Sequence, residues 1–245
     1  MARHSDRVAD PRHATQKTLA ANLFRPTIWG RVTDMSEAKA HLATALHAAA
    51  DLLTEREHSP EACEDVLALV ESGNKILQAG TEKHQDVRLQ EFAMQMVVPL
   101  GAPIIEDGDY FEAFNASPYS GKDNALRPTS VRYRRVGAEV HGEVVLGIAL
   151  EGAPGRAHGG ATAALFDDLM GATQRVTGLS GYTRSLEVSY LGPMPTDQMV
   201  SYRAYLSEQS QDTFTIEAVA THDSQPLAKA RGVFTLMDAD KFVSA

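Results

Sequence analysis

Cysteine occurs once in this sequence, at Cys63. A single thiol excludes an internal disulfide and any metal cluster built on paired cysteines, and it fits a reducing compartment. Cys63 falls in a helical stretch with no histidine at a telling spacing, which predicts a packing role rather than a nucleophile. Long apolar runs are lacking too. No window approaches the roughly eighteen consecutive apolar residues of a membrane span, and Met1-Ala2-Arg3-His4-Ser5 lacks the apolar run of a secretory signal. A cytoplasmic protein with no membrane span is therefore expected. Positive charge is in deficit, with 23 Lys and Arg against 32 Asp and Glu, and a net charge of -9 argues against general nucleic-acid binding. There is no His-x-x-x-His pair or mixed carboxylate cluster to hold a metal, no Gly-x-Ser-x-Gly to support a Ser-His-Asp triad, and no Lys-rich phosphate loop. His141 and His222 stand singly in strand patterns and read as satisfied sheet residues.

What is present concentrates around His158-Gly159-Gly160 and Asp167, nine residues after the histidine. The run Ala161-Thr162-Ala163-Ala164-Leu165-Phe166-Asp167-Asp168-Leu169-Met170 favours helix immediately after two residues that do not, so the glycines mark a helix N-terminus. The first amides of a helix lack intrahelical partners, and the macrodipole adds partial positive charge there. A carbonyl oxygen becoming an oxyanion is stabilised at such a place, and glycine lets it approach the backbone closely. Taken alone, Gly-Gly before a helix is more often a simple loop-to-helix transition. The two aspartates are harder to explain by packing, because Asp has poor helix propensity and Leu165, Phe166, Leu169 and Met170 flank them. On a helical wheel Asp168 shares a stripe with Ala161, Ala164, Leu165 and Ala172, and Asp167 shares the neighbouring one with Ala163, Gly171 and Gln174. Geometry alone does not choose between them. His158, preceding a helix start, is expected to be a neutral imidazole whose hydrogen bond shapes the loop.

Downstream and upstream of this helix the pattern changes to period two. Residues 130 to 136 and 139 to 150 alternate, with Gly137 and Ala138 as the turn. Three further runs follow, carried by Val200, Tyr202, Ala204 and Leu206, by Phe214, Ile216, Ala218 and Ala220, and by Ala228, Ala230, Phe234 and Leu236. The run from Thr183 to Tyr190 makes about six strands, placing Leu186, Val188 and Tyr190 on one face and Thr183, Ser185, Glu187 and Ser189 on the other. Short polar turns, such as Gln209-Ser210-Gln211-Asp212, argue for antiparallel pairing. The expected class is α+β, an antiparallel sheet of about six strands around one central helix.

The pattern Gly155-x-x-His158-Gly159-Gly160, with Asp167 inside an apolar helix, resembles hotdog-fold acyl-CoA thioesterases of the phenylacetate-pathway (PaaI) type. Thr183, sixteen residues beyond Asp167 and followed by Pro193 and Pro195, resembles the Thr-containing, human-type branch. The stretch from Ser117 to Pro128 resembles the Pro/Gly/Asn-rich lead-in to the first hotdog strand. The likeness covers about residues 110 to 240 and departs at Gly152, where many relatives carry Asn. It implies that Asp167 rather than Asp168 is the base or nucleophile, that Gly159 supplies the oxyanion amide and that Thr183 completes the site. It further implies that His158, Gly160, Asp168 and Ser185 help hold substrate. The implied substrate is a fatty or aryl acyl-CoA, with coenzyme A entering as part of the substrate and no separate cofactor. Candidates for its phosphates are Lys122, Arg127, Arg132, Arg134, Arg135, Arg184 and Lys229, each equally an ordinary surface cation. Nine residues of helix span ~13 Å, far for one carbonyl, so a homodimer or dimer of dimers with a shared site is expected.

The N-terminal hundred residues read differently. After a polar start over 1 to 20, Ser36 is placed to cap a helix through about Arg56, with Ala40, Leu42, Ala43, Leu46, Ala49 and Leu53 on its apolar side. A second helix begins at Ser59-Pro60, with Val66, Leu67, Leu69, Val70, Ile76 and Leu77 to bury and Gly73 as a possible interruption. Residues 82 to 98 make a third. The chain thus divides into a helical extension over 1–105 and a hotdog domain over 106–245. These helices suit capping the sheet, extending an oligomer interface or binding a partner. They also keep a second function open, a non-catalytic acyl-CoA sensor, although Lys75, Lys83 and Arg88 are offset by Glu71, Glu82, Asp86 and Glu91 and form no basic recognition helix. A hotdog hydratase is disfavoured because no Asp-x-x-x-x-His arrangement occurs.

Overall fold

Alternating side chains build one antiparallel sheet, and the one strongly apolar helix crosses its inner face. The computed structural model describes residues 32–82, 84–96, 104–112, 117, 119–121 and 130–237. Its strands are β1 (Tyr110–Phe111), β2 (Ser130–Val136), β3 (Glu139–Val145), β4 (Glu151–Ala153), β5 (Arg156–Ala157), β6 (Gly181–Tyr190), β7 (Met199–Gln209), β8 (Thr213–His222) and β9 (Gln225–Leu236). The helices are α1 (Val32–Glu55), α2 (Pro60–Gln78), α3 (Gln85–Met96) and α4 (Gly159–Thr177). Seven strands form one sheet in the order β1-β2-β3-β7-β8-β9-β6, and β4 and β5 make a separate two-stranded ribbon. All the pairings are antiparallel. This is the α+β hotdog arrangement that the alternation anticipates.

Two-residue reversals join β2 to β3 and β8 to β9, and a three-residue turn joins β7 to β8. The β8–β9 turn uses Asp223 and Ser224, both at positive φ (48° and 66°), the twist that suits a tight hairpin. α4 touches β2, β3 and β6 through β9. Leu165, Phe166, Leu169 and Met170 on it are buried against Val140, Val144, Val200, Tyr202, Phe214, Ile216 and Phe234. Each fully buried side chain of this size contributes about 1.5–3 kcal/mol. Phe166 meets Tyr202 edge to face at 5.3 Å, and Phe214 stacks on Phe234 at 5.2 Å. The outer face is charged and internally paired, with Arg132 on Glu143 at 2.6 Å and Arg231 on Glu208 at 3.1 Å. His141 contacts Glu139 at 3.0 Å and His222 Nδ1 contacts the Met199 carbonyl at 2.8 Å, as expected of satisfied sheet histidines.

Several sequence expectations need correction. β3 stops at Val145, and Ile148–Leu150 form a 3-10 turn rather than more strand. The chain leaves the ladder at Leu146, whose carbonyl accepts from the Asp197 N–H instead. α1 begins at Val32, upstream of Ser36, so Ser36 lies inside the helix. Ser59 does cap α2, accepting from the Ala62 N–H at 3.2 Å, and Gly73 does not interrupt it. Val66, Leu67, Leu69, Val70, Ile76 and Leu77 are all exposed, because no described element packs over α2. Cys63 is exposed on the same helix, which replaces the packing role expected of it. α1 is better anchored. Ala43 and His47 are buried, and Asp51 accepts from the Ala149 N–H at 3.1 Å and meets His47 at 3.1 Å. Among the described residues, no helix is long and apolar enough to cross a membrane. Residues 1 to 20, and most of the lead-in from Ser117 to Pro128, lie outside the described residues.

Candidate active site on helix α4

His158 starts α4 as its N-cap, with extended backbone (φ −61°, ψ 137°), and its Nδ1 accepts from the Gly160 N–H at 3.0 Å. The imidazole thereby ties the loop to the first turn of α4. The His158 N–H donates to the Leu150 carbonyl at 2.8 Å, and its own carbonyl accepts from the Thr162 N–H at 3.1 Å. Gly159 and Gly160 are both exposed. The Gly160 N–H, on a residue expected to help hold substrate, is engaged by His158. The Gly159 N–H has no acceptor among the described residues. Gly152 packs closely on the N-cap: a Cβ there would stand 3.0 Å from His158 Cα and 3.2 Å from its Cδ2. The site is built so that His158 packs where a side chain would be.

Consecutive helical residues point about 100° apart, which aims the two aspartates at different strands. Asp167, half-buried, turns toward β6 and accepts from Thr183 Oγ1 at 2.9 Å. Asp168 turns toward β2. Its two carboxylate oxygens are held by the Ser117 hydroxyl and by Tyr133 Oη, the latter at 2.8 Å. Burial pushes the Asp168 carboxyl above the ordinary aspartate range, and the neighbouring charge of Asp167 adds to the rise, against the opposing pull of the surrounding hydroxyls. Burial, then the charge of Asp168, holds the Tyr133 phenol well above its usual value. The buried Ser120 hydroxyl lies beside this pair and has no hydrogen-bond partner among the described residues. Asp168, expected to help hold substrate, binds the protein's own hydroxyls.

The strand opposite Asp167 carries the largest surprise. β6 pairs with β9 as Thr183↔Phe234, Ser185↔Val233 and Leu186↔Gly232, so Arg184 is an extra, bulged residue. A bulge reverses the side-chain parity on one side of it. Thr183 consequently shares the helix-facing side with Leu186, Val188 and Tyr190, whereas simple alternation puts it on the other face. Ser185, expected beside Thr183 on a substrate wall, is exposed on the side of the strand that carries Glu187 and Ser189. Tyr190, which sequence reasoning gave no site role, donates from its hydroxyl to the Gly159 carbonyl at 2.7 Å. Tyr133 and Ser117 were likewise unassigned, and nothing in their spacing signals a shared carboxylate. Of the candidate cations, Arg132 is paired with Glu143 and Arg135 bonds the Ile105 and Gly137 carbonyls. Arg134 lies over the Tyr110 ring at 5.8 Å. Arg184 and Lys229 are exposed, and Lys122 and Arg127 lie outside the described residues. Among the described residues no cluster of His, Cys, Asp and Glu fits a metal ion.

The arrangement offers a carboxylate with one oxygen oriented by a hydroxyl, and a free amide at the N-terminus of the same helix. Comparison with known proteins shows what that helix resembles. The model of the thioesterase superfamily matches residues 154–229, which include His158, Gly159, Asp167 and Thr183. The human acyl-coenzyme A thioesterase THEM5 is 31% identical over 94 residues, 38% of this chain and 38% of that protein. The chain thus matches well under half the length of this curated relative. A crystal structure of a thioesterase superfamily protein superposes with a TM-score of 0.64 at 23% identity, over 80% of this chain and 94% of that one. A hypothetical thioesterase from Streptococcus pneumoniae, solved with coenzyme A, is 19% identical over 45% of this chain and 88% of that one, with a TM-score of 0.43. Residues 154–229, with α4 and its flanking strands, are thus similar to the thioesterase superfamily.

Proposed function

We propose that this protein hydrolyses acyl-CoA thioesters. The observation that carries the reading is the hydrogen bond from Thr183 Oγ1 to Asp167 Oδ1 at 2.9 Å, made on a helix that is similar to the thioesterase superfamily and whose N-terminus holds a free glycine amide. The Thr183 hydroxyl fixes one carboxylate oxygen, and Asp167 Oδ2 has no hydrogen-bond partner among the described residues. As a general base, Asp167 takes a proton from water while the water oxygen attacks the thioester carbonyl carbon. The carbonyl oxygen becomes an oxyanion against the Gly159 N–H. Collapse breaks the C–S bond, and the coenzyme A thiolate leaves and is protonated. As a nucleophile, Asp167 instead forms a mixed anhydride that water then cleaves, with the same balance. Coenzyme A enters as the leaving group, and no further cofactor takes part.

Asp167 and the Gly159 amide stand on one helix, too far apart along its axis for a single carbonyl. Two copies that share sites remove the difficulty. β6 supports this reading, because it is the last strand of the sheet and leaves its outer edge unpaired among the described residues. Tyr182, Tyr190 and Leu191 are exposed along it.

Two defective variants test the sharing. Gly159→Pro removes the amide while suiting the first helical position, and the extended His158 backbone accepts a following proline. Asp167→Asn removes the base. Mixed and reassembled, the two variants regain activity when Gly159 of one copy serves Asp167 of the other, because one site per mixed dimer is then intact. Sites contained within one chain give no recovery. The preferred acyl group is read from thiol release on short, medium, long-chain and aryl esters.

A further inference from the structure

Every backbone group around the Gly159 amide is held except the one the proposed reaction needs. The His158 N–H is bonded to Leu150 and its carbonyl to Thr162. The peptide joining Gly159 to Gly160 is held at both ends, its N–H by His158 Nδ1 at 3.0 Å and its carbonyl by Tyr190 Oη at 2.7 Å. Glycine has no side chain to limit rotation about its own φ and ψ, so two successive glycines would otherwise sample many orientations. Donors aimed at a developing charge stabilise it in proportion to how little they must reorganise.

We infer that Tyr190 is a positioning residue: its hydroxyl, together with His158, locks the Gly159–Gly160 peptide so that the Gly159 N–H points at the thioester oxygen. The inference rests on the thioesterase reading and extends it to a residue that does not touch the reacting atoms. The geometry around Tyr190 supports a fixed rather than a casual contact. Its ring atoms and hydroxyl lie 3.5–3.6 Å from where a Cβ on Gly159 would stand, in ordinary van der Waals contact. The strand end that carries it is pinned to β9, because Tyr190 pairs with Ala228 and the following Leu191 and Gly192 N–H groups both donate to the Leu227 carbonyl, at 2.8 and 3.0 Å. The bulge at Arg184 gives this one strand two points of control over α4, since Thr183 bonds Asp167 and Tyr190 bonds Gly159 from the same face. Tyr190 is 54% exposed, so its hydroxyl adds little to folding and its bond serves orientation.

Tyr190→Phe keeps the ring and removes the hydroxyl. Steady-state hydrolysis of the preferred acyl-CoA by the full-length variant is expected to show kcat lowered about tenfold, with KM within about twofold and the thermal midpoint unchanged. The amide resonances of Gly159 and Gly160 shift in the same variant, while those of Phe214 and Ile216 in β8 stay in place. Unchanged kcat in the variant, with a wild type that does hydrolyse the ester, overturns the positioning role and leaves the thioesterase reading intact. A rise in KM with kcat held also overturns it, since that pattern belongs to ordinary substrate contact. No hydrolysis by the wild type overturns both.

Discussion

Thr183 reaches Asp167 because Arg184 is bulged. Without the extra residue, Thr183 would sit on the face that carries Ser185 and Glu187, and the 2.9 Å hydrogen bond to Asp167 Oδ1 would be impossible. Thr183→Val is therefore expected to lower kcat by about one to two powers of ten, whereas Ser185→Ala leaves kcat/KM within about twofold. Steady-state assays of the two variants check this. Equal loss in both would mean that the strand runs with unbroken alternation.

Asp168 ties α4 to β2 and to Ser117, and its raised pKa makes that tie depend on pH. The sign follows from linkage. A carboxyl whose folded pKa lies above its unfolded value contributes its full stability below the ordinary aspartate value and loses it as pH rises through the raised one. Asp168→Asn removes this dependence while keeping an acceptor for Tyr133. Thermal midpoints of wild type and variant, taken from about pH 4 to about pH 8, should diverge in the variant's favour as pH rises. Parallel curves would show that the carboxyl is not raised.

Gly152 leaves the space that His158 fills. A Cβ at position 152 meets His158 Cα at 3.0 Å, so Gly152→Ala forces the N-cap to move by a few tenths of an ångström. The expected cost is about 1 kcal/mol in stability and a roughly five- to tenfold fall in kcat from the displaced amide. Denaturant unfolding and steady-state kinetics report the two separately. An unaffected kcat would show that His158 does not set the position of Gly159.

Cys63 is exposed on α2, so native protein should react with a thiol reagent at one equivalent per chain, without denaturant. Reaction only after unfolding would show that α2 is covered by something.

The sequence carried the periodic features well. The six long strands, the helix after His158-Gly159-Gly160 and the His158 N-cap all follow from alternation and helix-start chemistry, because each depends on neighbours in the chain. The bulge at Arg184 does not, since it inserts one residue without altering composition and reveals itself through the β9 partner. The hydroxyls that hold Asp168 are equally silent: Ser117 and Tyr133 lie 51 and 35 residues away along the chain, and no local pattern links them to it. The apolar periodicity of α2 is real, yet periodicity states which residues favour burial and not whether anything covers them. Leu69 and Ile76 are each 73% exposed.

The central claim is that Asp167 supplies the base or nucleophile for thioester hydrolysis while its neighbour Asp168 supports the fold. Free-thiol release from a panel of acyl-CoA esters by wild type, Asp167→Asn and Asp168→Asn tests it most directly. The expected result is turnover by the wild type, a fall in kcat of about two to four powers of ten in Asp167→Asn, and most activity retained in Asp168→Asn. Activity lost with Asp168→Asn but kept with Asp167→Asn would contradict it, as would a folded wild type that binds coenzyme A yet releases no thiol from any ester.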